Sequence, residues 1–336
     1  MQNKIQLIAE IGQAHEGSLG IAHSYIDALA ETGVDAIKFQ THIAEAESSA
    51  YEAFRVKFSK EDATRFDYWK RMEFSPEQWK GLKEHCEEKG MEFMSSPFSM
   101  AAVELLDSIG VKRFKIGSGE VSNHLMLNRI GKTGKEVILS SGLSSIAEIE
   151  ESIRVFEPYG TKLSLLQCTT SYPTRPEEWG LNLIPELKSR FGLPTGFSDH
   201  SGDIYAGLAA AAVGAELLEF HVVFDKRMFG PDAGSSLTLT QIKQLVAGVR
   251  AIETALAYPL VKEPSDEKKP LKTIFEKSLA LNRELEAGAE ITVEVLEAKK
   301  PKGYGIDAKN YTFVLGKKLR TPKKKWDFLN FEDLDE

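Results

Sequence analysis

Gly196-Phe197-Ser198-Asp199-His200 and Glu219-Phe220-His221 are the two stretches that decide how this chain folds. In each, a short apolar run (LPTGF before Ser198, AELLEF before His221) gives way to polar residues, which is typical of a buried parallel strand. The two histidines therefore lie at or just beyond strand ends. Imidazoles at neighbouring strand ends can share one divalent metal, and Mn, Fe, Co or Zn suits nitrogen ligands better than Mg does. Taken alone, such a histidine is more often a hydrogen-bonded core residue.

Strand-like runs recur along the chain, and each is followed by a stretch with helical spacing. The eight runs are IQLIAE from Ile5, DAIKFQ from Asp35, MEFMSS from Met91, RFKIGS from Arg113, EVILSS from Glu136, KLSLLQ from Lys162, LPTGFS from Leu193 and ELLEFH from Glu216. Helical spacing occurs at Ile21 to Glu31, Pro76 to Lys89, Met100 to Ile109, Ile146 to Phe156, Ile204 to Val213 and Leu239 to Ala255. Eight βα units in about 250 residues predict an α/β fold of the (β/α)₈ TIM barrel type, catalytic, over 1–257.

Composition is that of a globular protein without a membrane span. The chain has 336 residues, 42% of them hydrophobic and 27% charged, and a net charge of −8 that argues against general nucleic-acid binding. Its N-terminal MQNKIQLIAE lacks the features of a signal peptide, and Cys86 and Cys168 make no disulfide framework, so we expect a cytoplasmic protein.

One interruption of the barrel pattern follows the second strand. The segment Ala44 to Arg71 is charged, rich in aromatic residues and too long for a tight βα turn. Such loops on the catalytic rim of a barrel form lids or substrate walls, and a surface excursion that packs its own aromatics is equally consistent with the pattern.

A small second domain follows the barrel. Tyr258 to Leu271 carries three prolines and little apolar periodicity, which predicts an extended linker over 258–273, and 274–336 form a domain too small to bury a large core. Between Lys299 and Lys325 there are ten Lys or Arg residues and one acid, Asp307. This basic run is either a solvated face or a cationic cap over an anionic site.

The predicted strand ends carry polar residues of a few recurring types. Lysines, small hydroxyls, glycines and histidines follow one another there: Glu10, Lys38, Gln40, Ser95, Ser96, Lys115, Gly117, Ser118, Glu120, Ser140, Ser141, Thr169, Thr170, Ser198, His200 and His221. Hydroxyls and backbone N–H groups suit phosphate oxygens, and lysines neutralise their charge. Each motif is an ordinary turn sequence by itself, but their coincidence at the strand ends predicts phosphate and metal in one cavity.

Nine motifs in order resemble those of the sialic acid synthase family: AEIGQAHEGSLG, DAIKFQTH, SSPFS, FKIGSGE, ILSSGL, CTTSYPT, GFSDHS, EFHVV and GPDAGSSL. That family condenses phosphoenolpyruvate with an N-acyl amino sugar to a sialic acid-like nine-carbon 2-keto acid and releases phosphate. The tail from Phe275 resembles the family's antifreeze-like (SAF) domain, similar to type III antifreeze protein. The resemblance implies a (β/α)₈ barrel, a divalent metal such as Mn²⁺, and a domain-swapped homodimer in which the SAF domain covers the partner's active site.

The resemblance also implies roles for individual residues. The metal falls to His200 and His221, and phosphoenolpyruvate to Lys38, Ser96, Lys115, Ser118, Ser140, Thr170 and Ser198. The amino sugar falls to Gln40, Glu120, Tyr172, Asp232 and Lys300, with Glu10 near the metal as candidate general base and Glu120 holding sugar hydroxyls. Rim packing for Tyr172, an Asx-turn for Asp232 and a lysine pair for Glu10 are the alternatives.

Two departures leave the identity of the sugar open. Relatives that make sialic acid have an arginine before proline that holds the acyl group, whereas this chain has Lys299-Lys300-Pro301, and lysine cannot reproduce a bidentate fork. The family's Asn-His pair after the first strand is Ala14-His15 here.

Two other functions remain compatible with the sequence. Lys38 or Lys115 at a strand end suits a Schiff-base pyruvate aldolase, although the histidine pair argues against it. A non-enzymatic carbohydrate-binding protein built on the C-terminal domain is the second alternative, but the strand-end residues are those of a complete site.

Overall fold

A computed structural model of the protein describes residues 4–56, 58, 61–263 and 265–335. The chain forms two compact units, the first ending at Pro259 and the second beginning at Leu260. Among the described residues, no helix is long and apolar enough to cross a membrane.

The first unit is a closed barrel of eight parallel strands, which confirms the predicted fold. Each strand pairs with the next along the chain, and β1 also pairs with β8. The strands are β1 (Gln6–Gly12), β2 (Ala36–Thr41), β3 (Glu92–Pro97), β4 (Arg113–Ile116), β5 (Glu136–Ser140), β6 (Leu163–Cys168), β7 (Thr195–Asp199) and β8 (Leu217–Val223). A two-residue strand, β9 (Leu237–Thr238), pairs in parallel with the last two residues of β8.

Helices follow the strands as the alternation predicts. They are α1 (Leu19–Ala30), α2 (Ala44–Glu47), α3 (Arg65–Met72), α4 (Pro76–Glu88), α5 (Met100–Ser108), α6 (His124–Gly131), α7 (Ile146–Phe156), α8 (Leu183–Phe191), α9 (Ile204–Ala212) and α10 (Leu239–Ala257). Capping boxes fix the starts of α4, α7 and α10, because Ser75, Ser145 and Thr238 each exchange hydrogen bonds with the third residue of the helix. Four helices, α2, α3, α6 and α8, lie outside the segments in which the sequence shows helical spacing.

Alternation along the strands divides the barrel interior into layers. Ile8, Ala36, Met94, Ile138, Leu166 and Leu217 form one buried apolar cluster. Since side chains two residues apart share a face, the next inward positions are Glu10, Lys38, Ser96, Ser140, Cys168 and Glu219, and all six line a cavity. The apolar layer is therefore the floor beneath a polar layer at the carboxyl ends of the strands, the end where barrel sites form.

Asp35 connects several elements at the amino ends of the strands, opposite the cavity. Its carboxylate accepts hydrogen bonds from the Leu7 amide at 2.9 Å and from Arg250 of α10 at 2.9 Å, and it also pairs with Lys4. Arg250 in turn donates to the Ile5 carbonyl oxygen at 2.9 Å. One carboxylate thus joins the first strand, the start of β2 and the last helix of the barrel.

The long excursion after β2 satisfies both interpretations of its sequence. Tyr68, Trp69 and Met72 of α3 are buried with Ala44, and Phe54, Phe58 and Phe66 pack against them. The same segment contributes Arg55, Val56, Phe58, Arg65 and Trp69 to the cavity lining. It is a wall of the cavity held together by its own aromatic core.

The second unit contains a small core of its own and a two-stranded antiparallel sheet. Strands β10 (Ser278–Leu281) and β11 (Leu296–Lys299) pair, and Leu279, Leu281, Ile291, Val314 and Leu329 are among the core residues. The expectation of an extended linker is wrong in its last part, because helix α11 (Lys269–Phe275) begins there with Pro270 in its first turn.

Candidate active site

A cavity of about 260 Å³ opens at the carboxyl ends of the barrel strands. Most residues selected from the sequence line it: Glu10, Lys38, Gln40, Ser96, Lys115, Ser118, Ser140, Thr170, Tyr172, Ser198, His200, His221 and Asp232. The lining therefore joins residues from all eight strand ends, which no single sequence motif contains.

Two buried lysine–glutamate pairs lie at the bottom of the cavity. Lys38 pairs with Glu10, its neighbour across β1 and β2, and lies 3.9 Å from Glu219. Lys115 Nζ donates to Glu219 Oε1 at 2.9 Å, and Ser198 Oγ donates to the same oxygen at 3.0 Å. Burial alone would lower the pKa of Lys115, but the carboxylates of Glu219 and Glu10 outweigh burial and raise it. Lys115 is therefore held as a cation.

Glu219 is a site residue that the sequence argument missed. Burial opposes its charge, but the ammonium groups of Lys115 and Lys38 outweigh burial and lower the pKa of this carboxyl. The available signal was an acid inside the apolar run ELLEF, two residues before His221 and hence on the same strand face.

Small hydroxyls surround the lysines. Ser96 Oγ accepts from Lys38 Nζ at 3.2 Å, and Ser118 Oγ accepts from the Gly142 amide at 3.1 Å. The Ser140 hydroxyl is buried and has no hydrogen-bond partner among the described residues. A Cβ at Gly142 would lie 2.6 Å from the Thr170 hydroxyl and 2.7 Å from that of Ser118, so glycine keeps this corner open.

His200 and His221 lie side by side, with ring centroids 5.2 Å apart. His200 Nδ1 lies 3.1 Å from the Thr169 carbonyl oxygen, so Nδ1–H donates there and Nε2 keeps its lone pair. Burial, reinforced by neighbouring His221, lowers the pKa of His200 to about 3, which keeps its imidazole neutral.

This pair fits a divalent metal with open coordination positions. Neutral imidazoles are good ligands for Mn, Fe, Co or Zn. Within the described parts of the chain, no group of three or more His, Cys, Asp or Glu side chains is placed to hold a metal. A divalent ion held by His200 and His221 would take oxygens of water or substrate at its remaining positions.

Gln40, Tyr172 and Asp232 form the outer part of the lining. Gln40 Nε2 donates to Glu10 Oε1 at 3.0 Å, and Gln40 Oε1 accepts from Gln13. The Tyr172 ring lies 4.2 Å from that of His200, and burial raises the pKa of its hydroxyl, which stays protonated.

Arginines on the excursion after β2 are further lining residues that the sequence argument missed. Arg55 Nη2 donates to Asp232 Oδ1 at 2.9 Å, and Arg65 stacks on Trp69 at 3.9 Å. Their only sequence signal was their place in a long aromatic segment.

His42 packs against the excursion after β2 that forms a wall of the cavity. Its ring stacks between Trp69 and Phe98, with centroid separations of 3.7 and 4.5 Å. His42 Nδ1 lies 2.7 Å from Glu47 Oε1, and Nε2 lies 3.2 Å from Gln40 Oε1. Glu47 and His42 thereby fix the position of Gln40.

Glu120, a predicted residue of the first unit, is not part of this cavity lining. Glu120 follows β4 but accepts a hydrogen bond from Asn123 at 2.8 Å, and burial raises its pKa. Lys300 belongs to the second unit, where its ammonium lies 5.0 Å from the Phe275 ring centroid. Their roles toward the sugar stay predictions.

Comparison with known proteins places the chain in a family. The family profile described as NeuB family matches residues 25–259. The N,N'-diacetyllegionaminic acid synthase of Campylobacter jejuni is 35% identical over 97% of this chain and 98% of that protein. The N-acetylneuraminate-9-phosphate synthase of Homo sapiens is 32% identical over 99% and 94%.

A solved structure agrees with these relatives. The N-acetylneuraminic acid synthetase of Leptospira borgpetersenii has a TM-score of 0.70 and 31% identity, covering 80% of this chain and 90% of that one. Sequence and fold together show that this chain belongs to the NeuB family.

Proposed function

We propose that this protein is a transferase that condenses phosphoenolpyruvate with an N-acyl amino sugar, releasing phosphate and forming a nine-carbon 2-keto acid. The polar layer of the barrel carries the proposal: two buried lysines, a set of hydroxyls and two histidines share one cavity. Relatives named as synthases of legionaminic, neuraminic and pseudaminic acids support it.

In this proposal the lysines and hydroxyls bind phosphoenolpyruvate and direct its C3 toward the aldehyde carbon of the open-chain sugar. Lys38 and Lys115 meet the negative charge, and the unpartnered Ser140 hydroxyl donates to an oxygen of the ligand. A C–C bond forms between C3 and the aldehyde carbon while the carbonyl π bond breaks and the aldehyde oxygen takes up a proton from solvent, and an oxocarbenium centre develops at C2. Water adds at C2, and phosphate then departs by C–O cleavage.

Glu10 is our candidate to accept the proton of that water. Its carboxylate is held between the Lys38 ammonium and the Gln40 amide, and its register partner on β8 is His221. A divalent ion, which we propose to be Mn²⁺, would be held by His200 and His221 and would supply Lewis acidity at the aldehyde oxygen.

The raised pKa of Lys115 argues against the aldolase alternative. A Schiff-base lysine must lose its proton to attack a carbonyl, whereas Lys115 and Lys38 are both paired with buried carboxylates. Borohydride with pyruvate therefore should trap no covalent adduct on either lysine. A trapped adduct would favour the aldolase.

The deciding experiment measures phosphate and 2-keto acid released from phosphoenolpyruvate with Mn²⁺ and a panel of N-acyl amino sugars. We expect both products in equal amounts with at least one sugar. We further expect His200→Ala and His221→Ala to abolish turnover without changing the circular dichroism spectrum, because rim residues serve ligation and strands serve stability. Full activity with metal still bound in either variant would reject the metal site.

We also propose a domain-swapped homodimer in the cytoplasm. The second unit exposes large apolar side chains such as Phe275 (63% exposed), Tyr304 (65%) and Phe313 (66%), a composition suited to an interface. Sedimentation should give the mass of a dimer, and an active monomer would contradict the arrangement.

A further inference from the structure

Arg55 joins three loops at the mouth of the cavity. It lies on the excursion after β2, its Nη2 donates to Asp232 in the loop after β8 at 2.9 Å, and its Cζ lies 4.1 Å from the ring centroid of Tyr172 after β6. Two independent contacts, an ion pair and a cation–π contact, therefore hold the guanidinium in the cavity lining.

Arg55 is the accessible cation among the described lining residues. Its side chain is 47% exposed, whereas those of Lys38, Lys115 and Arg65 are 3%, 5% and 17% exposed. A guanidinium has five N–H donors, and one nitrogen of Arg55 contacts Asp232. With respect to the described residues, donors of Arg55 thus remain for a ligand at the mouth.

The surroundings of Arg55 suit a neutral group with an apolar end. Asp232 balances the charge of Arg55, so a phosphate dianion there would meet a carboxylate as well as a guanidinium. Val56 and Phe58 line the cavity beside it, and Phe58 is held by Tyr68 at 5.1 Å and Phe229 at 5.7 Å. The serine and threonine hydroxyls of the lining, which suit phosphate oxygens, come from β3 to β7 and their following turns, whereas Arg55 follows β2.

We propose that Arg55 is a specificity-determining residue that donates a hydrogen bond to the acyl carbonyl oxygen of the amino sugar, while Val56 and Phe58 contact the acyl carbon chain. This inference rests on the proposed function and assigns acyl recognition to the barrel's own excursion. It also predicts that Arg55 contacts the acyl group and not a phosphate of the sugar.

The test compares Arg55→Ala and Arg55→Lys with the wild-type full chain, using N-acetylmannosamine and mannose as acceptors. Arg55→Ala should lower kcat/KM for N-acetylmannosamine roughly 10- to 100-fold, the size of one charge-assisted hydrogen bond, and change that for mannose little. Arg55→Lys should recover part of the loss, and the KM of phosphoenolpyruvate should stay unchanged. The control is Arg175→Ala, because Arg175 is exposed and does not line the cavity.

Three outcomes would overturn the inference. Equal losses for both acceptors would mean that Arg55 only shapes the opening, and a larger loss for N-acetylmannosamine 6-phosphate would make it a phosphate site. An Arg55→Ala variant with wild-type kinetics would remove it from recognition. If the wild type releases no phosphate with any acceptor, the proposed function fails instead, and calorimetric binding of N-acetylmannosamine to the wild type and Arg55→Ala then decides the acyl contact separately.

Discussion

At the scale of single residues, the charge balance of the polar layer governs both the stability of the barrel and the binding of ligands. Lys115→Met should leave Glu219 buried with one lysine at 3.9 Å and destabilise the barrel by about 3–5 kcal/mol, the usual cost of breaking a buried ion pair. The double variant Lys115→Met/Glu219→Gln should recover most of that loss in urea unfolding. Both variants should keep a raised KM for phosphoenolpyruvate. Wild-type affinity in the double variant would remove Lys115 from the anion site.

Gly142 gives a prediction in which space matters more than charge. A methyl group there would lie within 3.0 Å of the Thr170 hydroxyl, the Ser118 hydroxyl and the Cys168 sulfur. Gly142→Ala should therefore displace two predicted phosphoenolpyruvate ligands and raise its KM at least tenfold while the acceptor KM changes less. Gly134→Ala, at a glycine with no neighbour within 4 Å, controls for general effects of a methyl group, although its φ of +70° adds strain. Unchanged phosphoenolpyruvate kinetics in Gly142→Ala would contradict this account.

At the scale of elements, the Asp35 carboxylate makes the closure of the barrel sensitive to pH. Burial would raise the pKa of Asp35, but hydrogen bonds from Lys4 and the Leu7 amide and the charge of Arg250 outweigh it and lower the pKa. A lowered pKa in the folded state means that the unfolded chain binds more protons near pH 4. The stabilisation is therefore complete above the unfolded pKa of about 3.9 and is lost as the pH falls through the folded value.

Asp35→Asn tests this assignment. We expect the variant to be less stable than the wild type by about 1.5–3 kcal/mol at pH 7, because hydrogen bonds to a charged group are lost. In urea unfolding between pH 7 and about pH 3, the difference should shrink toward the acidic end. A difference that stays constant over this range would show that the Asp35 charge has no part in it.

At the scale of the whole molecule, the division of the chain into two compact units predicts that the barrel folds without the second unit, the tail. The first unit has its own core and closes between β1 and β8, so a chain ending at Pro259 should keep a cooperative thermal transition. Under the proposed domain swap it should also lose activity. An active truncated chain would show that the tail is not required for catalysis.

Activity measured in mixed dimers distinguishes a tail that covers the partner's active site from a tail that covers the active site of its own chain. A His200→Ala subunit and a tail-deleted subunit are each expected to be inactive alone. In the swapped arrangement the tail-deleted chain keeps a sound barrel and receives its partner's tail, so one working site should reappear on mixing. Mixtures that remain inactive while forming dimers would contradict the swap.

The barrel and most of its candidate site were predictable from sequence because both follow local rules. Apolar runs of strand length alternate with helical periodicity, and the polar residue after each apolar run falls at the strand end by the two-residue repeat. The same repeat explains why Ile8 lies in the apolar floor and Glu10 lies above it. The same local rules were sufficient to place the two histidines and both lysines at strand ends.

The tertiary structure decided what depends on pairing across distant segments. Glu219 becomes a site residue because β4 and β7 bring Lys115 and Ser198 to its carboxylate, and Arg55 becomes one because the loops after β6 and β8 supply Tyr172 and Asp232. Glu120, chosen as a strand-end acid, turns to Asn123 beyond the lining. Local periodicity fixes which face of a strand a side chain occupies, but closure of the barrel selects the partners it meets there.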